Sequence, residues 1–155
     1  MKDTPMPPRI YIAAPLFNEA ERSFNLTVDA TVRALGVHTY LPQRDGGVGA
    51  DLVAQGQDPA QVRARLFELD VAAVRGCDAL VMVLDGRVPD EGACVELGLA
   101  YAWNTPTFGL QTDIRRFGDQ YNNLMIDQAL RTTAHTLDEL AALLNEHLLS
   151  LDAER

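Results

Sequence analysis

Ala79-Leu80-Val81-Met82-Val83-Leu84 runs directly into Asp85-Gly86-Arg87-Val88-Pro89-Asp90-Glu91-Gly92-Ala93-Cys94-Val95-Glu96-Leu97-Gly98-Leu99-Ala100-Tyr101. The first six residues are continuously apolar and read as a strand buried on both faces. A polar turn containing Gly86 and Pro89 follows, and then a segment dense in small and apolar residues that predicts a helix from about Gly92 to Trp103. In open α/β sheets, ligands bind at the carboxyl ends of the strands, which is where this turn belongs. Four carboxylates, Asp85, Asp90, Glu91 and Glu96, fall within twelve positions. Glu96 lies inside the apolar helix, where a carboxylate has to be stabilised or used.

The same alternation extends to both sides. Arg9 to Ala14 reads as a first buried strand ended by Pro15. Asn18, followed three positions later by Glu21, is a helix-start signature; Phe24, Val28, Val32 and Leu35 mark one apolar face, and Gly36 a stop. His38 to Pro42 predicts a short second strand, and the Gly-rich Gly46 to Gln57 stretch a loop. Asp58-Pro59 is a cap with proline at the first helical position, opening a helix to about Arg75 with Val62, Leu66, Leu69 and Val74 on its apolar side. Pro106 to Leu110 reads as a strand, Thr112 to Asn122 as a polar loop, Asn123 to Ala129 as a helical turn, and Arg131 to Thr136 as a weak fifth strand. Thr136 to Glu139 has the capping-box spacing, ahead of a terminal amphipathic helix carrying Leu140, Leu144, Leu148 and Leu151. Strands alternating with helices imply an α/β fold, a parallel sheet with helices on both faces. Residues 1–8 read as a flexible tail and 9–155 as one domain, with no internal repeat or linker.

The bulk numbers narrow the function classes. The net charge of -9 opposes binding to a nucleic acid polymer or an anionic membrane, though not to a small nucleoside. Residues 1–8 do not resemble a signal peptide, and no segment approaches the roughly 20 apolar residues that span a bilayer, so a cytoplasmic protein is expected. Cys77 and Cys94 sit in apolar contexts and read as buried free thiols. No CxxC, HExxH or paired histidine suggests a metal; His38, His135 and His147 are scattered and read as surface or strand residues. The first strand leads into Ala13-Ala14-Pro15-Leu16-Phe17-Asn18, without a Gly-rich phosphate cradle. Glu19 and Glu21 would repel a phosphate at that helix start.

Read as residues alone, the polar positions keep two meanings each. Glu96 suits nucleophilic attack on a sugar carbon, or a salt bridge on a half-exposed helix. Asp90 suits a sugar hydroxyl, or a cap ahead of Gly92. Asp70, among Leu66, Phe67, Leu69, Val71 and Ala72, would hold a proton if half buried, or else faces outward. Tyr11 either reaches a pocket or fills the core.

Several segments taken together resemble the nucleoside 2-deoxyribosyltransferase family. They are Ile10 to Phe17, Tyr40-Leu41-Pro42-Gln43-Arg44-Asp45-Gly46, Asp70, Asp78 to Gly86, Asp90 to Ala100, and Asn123-Leu124-Met125. The resemblance runs in order from about residue 9 to 145, and the Asp90-to-Glu96 segment and the Asn-Leu-Met triplet are its most specific parts. It implies a flavodoxin-like fold, no metal, no cofactor, and an assembly of dimers, often hexameric. It also implies transfer of 2-deoxyribose between free nucleobases through a covalent sugar ester. In that scheme Glu96 is the nucleophile, Tyr11 holds it, Asp70 protonates the departing base, and Asp90, beside Gly92, binds a sugar hydroxyl. Asn123 and Met125 are lent by a neighbouring subunit. Leu16-Phe17 stands where better-known members carry a bulky aromatic pair, which puts Phe17 near the base and leaves the base preference open. The rival reading is a 2-deoxynucleoside 5'-monophosphate N-glycosidase with water as acceptor; Arg115 and Arg116 would serve its phosphate, while the acidic first helix start opposes it. A non-catalytic nucleoside-binding domain is the third reading, disfavoured because binding alone needs no buried nucleophile.

Overall fold

The computed structural model describes residues 6–113 and 122–153. Among them five strands, β1 (Arg9–Ala13), β2 (His38–Tyr40), β3 (Ala79–Val83), β4 (Thr107–Leu110) and β5 (Thr132–Ala134), form one sheet. All neighbours are parallel, in the order β2-β1-β3-β4-β5. This is the doubly wound, flavodoxin-like order, and its direction reverses between β1 and β3. The crevice at that switch point is flanked by the loops after Ala13 and after Val83. Every residue of β3 is buried, as its unbroken apolar run requires.

Helices α1 (Glu19–Arg33) and α7 (Leu137–Ala153) cover one face, where Val28, Val32, Leu140 and Leu144 pack on Ile10, Ile12, Val81 and Val83. Helices α4 (Pro59–Arg75) and α5 (Glu91–Ala102) cover the other, through Ala73, Val74, Ala93, Leu97 and Ala100. Asn18 caps α1 with both halves of the expected capping box in place: its side chain accepts from Glu21, and the Glu21 carboxylate accepts from the Asn18 amide. Asp58 and Pro59 open α4 as the sequence predicts. The ends of α4 and α5 are joined by the Arg75 guanidinium, 4.4 Å above the Trp103 ring.

Several expectations need correction. The stretch from Gly46 to Gln57 is not a plain loop. It holds α3 (Gly49–Ala54), preceded by the short α2 (Pro42–Asp45) that ends the second strand at Tyr40. Gly47 and Gly56 both have φ of +90°, so these glycines bracket a helix rather than fill a loop. Leu69 is exposed; the stripe of α4 that meets the sheet side runs instead through Val62, Leu66, Asp70, Ala73 and Val74. His147 is buried against the Phe108 ring rather than on the surface. The expected terminal capping box is half formed. Thr136 accepts from the Glu139 amide, while the Glu139 carboxylate accepts from the His135 amide. Of the expected tail, residues 1–5 lie outside the described residues, and the Pro8 carbonyl accepts from the His38 amide at 2.9 Å.

Two more elements complete the edge of the sheet: α6 (Leu124–Ala129) and the strand β5 that follows it. Their approach to β4 leaves no room at Gly109. A Cβ there would lie 2.6 Å from Thr133 Oγ1, 3.0 Å from Leu130 Cδ1 and 3.1 Å from Leu84 Cδ1. Gly109→Ala is therefore expected to destabilise the fold by about 1–3 kcal/mol, the usual cost of overpacking. A urea midpoint equal to that of the parent protein would contradict this close approach.

Candidate active site

Two carboxylates occupy helix positions where the packing pattern calls for apolar side chains. On α5, Ala93, Leu97 and Ala100 are buried against the sheet, and Glu96 falls in the same stripe. On α4, Asp70 falls in the stripe of Leu66, Ala73 and Val74. Both are partly buried, and each is met by a tyrosine hydroxyl from the sheet. Tyr11, in mid-β1 and fully buried, donates to Glu96 Oε1 at 2.7 Å. Tyr40, at the end of β2, donates to Asp70 Oδ1 at 3.1 Å. The strand register sets Tyr11 beside Tyr40, and the two rings stack with centroids 5.2 Å apart.

Burial pushes the Glu96 carboxyl up to about 8, against the Tyr11 hydrogen bond and with help from the charges of Asp70 and Asp90. Burial likewise raises Asp70, and the hydrogen bond from Tyr40 opposes it. Both tyrosines are held above their ordinary range, first by burial and then by the carboxylate charges around them. They therefore stay neutral and act as hydrogen-bond donors. The result is a protonatable pair of carboxyls, each oriented by a fixed donor, beside the switch point of the sheet. That arrangement suits one group that attacks and one that carries a proton.

The remaining sequence candidates lie around this pair. Asp90 caps α5, accepting from the Ala93 amide through Oδ2 at 2.8 Å. A Cβ on Gly92 would come within 3.1 Å of that same oxygen, so Gly92 leaves the Asp90 carboxylate its room. Phe17 is exposed on the loop after β1. With Glu21, Asp85, Arg87, Asp90 and Glu91, it lines a cavity of about 260 Å³ at the carboxyl ends of the strands. Asp85 is committed to structure there: its carboxylate accepts from the Thr112 amide and hydroxyl and from the Asp113 amide. Asn123 and Met125 stand at the start of α6, where the Asn123 side chain accepts from the Met125 amide. Both are exposed, and no hydrogen bond joins Asn123 to Glu96 or Asp70. Arg115 and Arg116 lie outside the described residues. A larger cavity, about 860 Å³, runs from the amino ends of β1 and β2 along β2 to Tyr40 and Asp45. Its carboxylates Asp45 and Asp78 are already engaged by Arg44 and by the Leu41 and Arg9 amides, so it lacks an oriented reactive pair.

Tyr40 is the member of the site that sequence reading left without a role. Its signal was the strand alternation of His38-Thr39-Tyr40 beside Tyr11, but the register that stacks the two rings is a tertiary fact. Both cysteines have surroundings that disfavour the thiolate, and Cys94, expected to be buried, is only partly so. Burial lifts the Cys77 thiol to about 11, and burial with Asp90 and Glu91 nearby lifts Cys94.

The raised Glu96 carboxyl is also a statement about stability. The folded chain holds this proton more tightly than the unfolded chain, whose glutamate titrates near 4.5. Its stabilising contribution is full below about 4.5 and is lost as pH climbs through about 8. Glu96→Gln keeps an acceptor for Tyr11 and carries no charge. It is expected to be more stable than the parent at pH 8, by about 1–3 kcal/mol, with the gap closing near pH 4.5. Thermal melts of both proteins across this range give the answer; a parent protein more stable than the variant at pH 8 would contradict the buried-carboxyl assignment.

Comparison with known proteins gives a consistent picture. The model of a family described as nucleoside 2-deoxyribosyltransferase matches residues 10–142. No curated protein matches significantly. Among solved structures, a conserved protein from Enterococcus faecalis V583 superposes with a TM-score of 0.74 at 24% identity, over 90% of this chain and 98% of that one. A 2-deoxyribosyltransferase from Bacillus psychrosaccharolyticus gives 0.68 at 21% identity, over 86% and 90%. The CMP N-glycosidase BcmB from Clostridium botulinum gives 0.57 at 16% identity, over 90% and 98%. At these identities the structural likeness carries the fold.

Proposed function

The chain belongs to the nucleoside 2-deoxyribosyltransferase family, and from that premise we propose that it moves 2-deoxyribose from one nucleobase to another through an ester on Glu96. The observation that carries the proposal is the Tyr11–Glu96 hydrogen bond, which aims a buried carboxylate with one oxygen engaged and one oxygen to react. In its ionised form, which gains population as pH rises toward about 8, Glu96 attacks the anomeric carbon as the bond to the base breaks. Asp70 gives its proton to the departing base, which then leaves neutral. A second base attacks the same anomeric carbon, the bond from that carbon to the Glu96 oxygen breaks, the base's N–H proton passes to Asp70, and Glu96 is released as a carboxylate. Two inversions leave the configuration retained. Asp90, with Oδ2 committed to the Ala93 amide, accepts a sugar hydroxyl through Oδ1, and Phe17 borders the base. Substrates are deoxynucleosides and free bases, with neither metal nor cofactor, in a cytoplasmic enzyme.

A hydrolase acting on a nucleotide is the second reading, and the fold it shares with the CMP N-glycosidase is its support. The cavity by Asp90 weighs against it. Among the described residues, Glu21, Asp85, Asp90 and Glu91 surround the Arg87 guanidinium there, a poor setting for a phosphate. Incubation with deoxyinosine and a second free base separates the two. A new nucleoside is expected; free deoxyribose alone, or a strong preference for the 5'-monophosphate, would favour the hydrolase. Glu96→Ala should lower exchange by several orders of magnitude, on the order seen when a covalent catalyst is removed. A slow 2-fluoro-deoxynucleoside analogue should leave its sugar on the peptide holding Glu96. Label on Asp70 or Asp90 instead would overturn the assignment.

The same reading makes the site a shared one, completed by Asn123 and Met125 of a second copy. Leu124 and Met125 are 69% and 72% exposed on α6, and Phe67, Leu69, Val95 and Tyr101 are exposed on the neighbouring α4 and α5. Exposed apolar side chains on these three helices support a second copy as that partner. Glu96→Ala and Asn123→Ala, each inactive alone, should regain partial activity when unfolded together and refolded as mixed assemblies. Hetero-oligomers with no regained activity, or an active monomer in analytical ultracentrifugation, would refute sharing.

A further inference from the structure

Tyr40 has three separate attachments. Its backbone is the last residue of β2, in register with Tyr11. Its ring stacks on the Tyr11 ring at an interplanar angle of 14°. Its hydroxyl reaches across to α4 and donates to Asp70 Oδ1. The turn that follows is braced independently. Arg44 bonds Asp29 Oδ2 and the Thr39 carbonyl, each at 2.8 Å, and also bonds Asp45, whose carboxylate accepts from the Leu41 amide. Thr39 Oγ1 in turn donates to Asp29 Oδ1. Tyr40 thus sits between a braced turn and a stacked ring, with its hydroxyl as the one part not needed for packing.

We infer that Tyr40 is the positioning residue of Asp70: by donating to Oδ1 it leaves Oδ2 as the oxygen that carries the proton to the departing base, and by stacking on Tyr11 it ties that oxygen to the position of Glu96. This rests on the reading of Asp70 as the proton donor. A carboxylic acid has one proton, and the oxygen that accepts a neighbour's hydrogen bond is best left as the carbonyl oxygen. With Oδ1 so occupied, the proton belongs on Oδ2. In the transfer step the Oδ2–H bond breaks, the base nitrogen takes the proton, and the base leaves with the electron pair of its former bond to the anomeric carbon. Asp70 is left as a carboxylate, and the Tyr40 hydrogen bond strengthens as that charge appears. The stacked tyrosines therefore connect the attacking and the protonating carboxyls through one rigid pair of rings.

The test uses Tyr40→Phe, Asp70→Asn and the double variant on two substrates. Deoxyinosine has a base that must be protonated to leave. In 7-methyl-2'-deoxyguanosine the base is already cationic and leaves neutral without help. Tyr40→Phe keeps the ring contacts and is expected to slow deoxyinosine about 10–100-fold, as loss of a hydrogen bond to a charged group does. It should slow the methylated substrate by less than about 3-fold, since only an indirect effect on Glu96 remains. In the Asp70→Asn background, adding Tyr40→Phe should cost nothing further on deoxyinosine. Equal slowing of both substrates by Tyr40→Phe, or additive losses in the double variant, would overturn the role of Tyr40. If Asp70→Asn separates the substrates and Tyr40→Phe does not, the role of Tyr40 falls and that of Asp70 stands. If Asp70→Asn itself slows both equally, Asp70 is not the proton donor and both assignments fall.

Discussion

A tyrosine hydroxyl from the middle of the sheet meets a carboxylate on the helix above it, and the geometry of the site follows from that contact. Glu96 stands where α5 would otherwise place an apolar side chain. Tyr11 is fully buried, so its hydroxyl needs a partner, and Glu96 is the partner it finds at 2.7 Å. Each group offsets the other's desolvation. Either one alone at these positions would cost the fold on the order of 1–3 kcal/mol, as an orphaned buried polar group does. The hydrogen bond holds the carboxyl in one orientation, while burial raises its pKa against that bond, a condition that destabilises the fold once the group ionises.

The topology explains why this contact lies beside a crevice. The sheet order reverses between β1 and β3, so the loops after these strands diverge and leave a crevice. Tyr11 rises from β1, and α5 begins just past β3, with Asp90 as its cap. Helix α4 runs alongside α5, with Arg75 over Trp103 holding their far ends together. That packing brings Asp70 near enough for its charge to act on Glu96. Asp90 caps α5 through Oδ2, so the helix start leaves its Oδ1 without that duty.

Much of the fold was legible because the chain follows local rules without conflict. The apolar run from Ala79 to Leu84, the Asn18 and Glu21 pair, and Asp58-Pro59 each became the element their chemistry predicts. The misreadings have physical causes. Glycines at positive φ on both sides of Gly49–Ala54 mimic a loop while they bracket a helix. On α4, residues 66, 69 and 70 all satisfy helical spacing, and spacing alone does not say whether Leu69 or Asp70 turns inward. The hydrogen bond from Tyr40 accompanies the turn that exposes Leu69 and brings in Asp70.

By itself the sequence determined the order of elements apart from α2 and α3, the parallel sheet, the acidic character that disfavours polyanions, and a carboxylate misplaced within an apolar helix. These are properties of composition and of residue spacing, which survive without knowledge of neighbours. Tertiary structure decided which side chains meet. The pairing of Tyr11 with Glu96 spans 85 residues and that of Tyr40 with Asp70 spans 30. The stacking of the two rings depends on a register between β1 and β2 that no local signal encodes. A hydroxyl finds its carboxylate only when strand, helix and turn have packed together, because hydrogen bonding acts over about 3 Å and sequence distance carries no information at that scale.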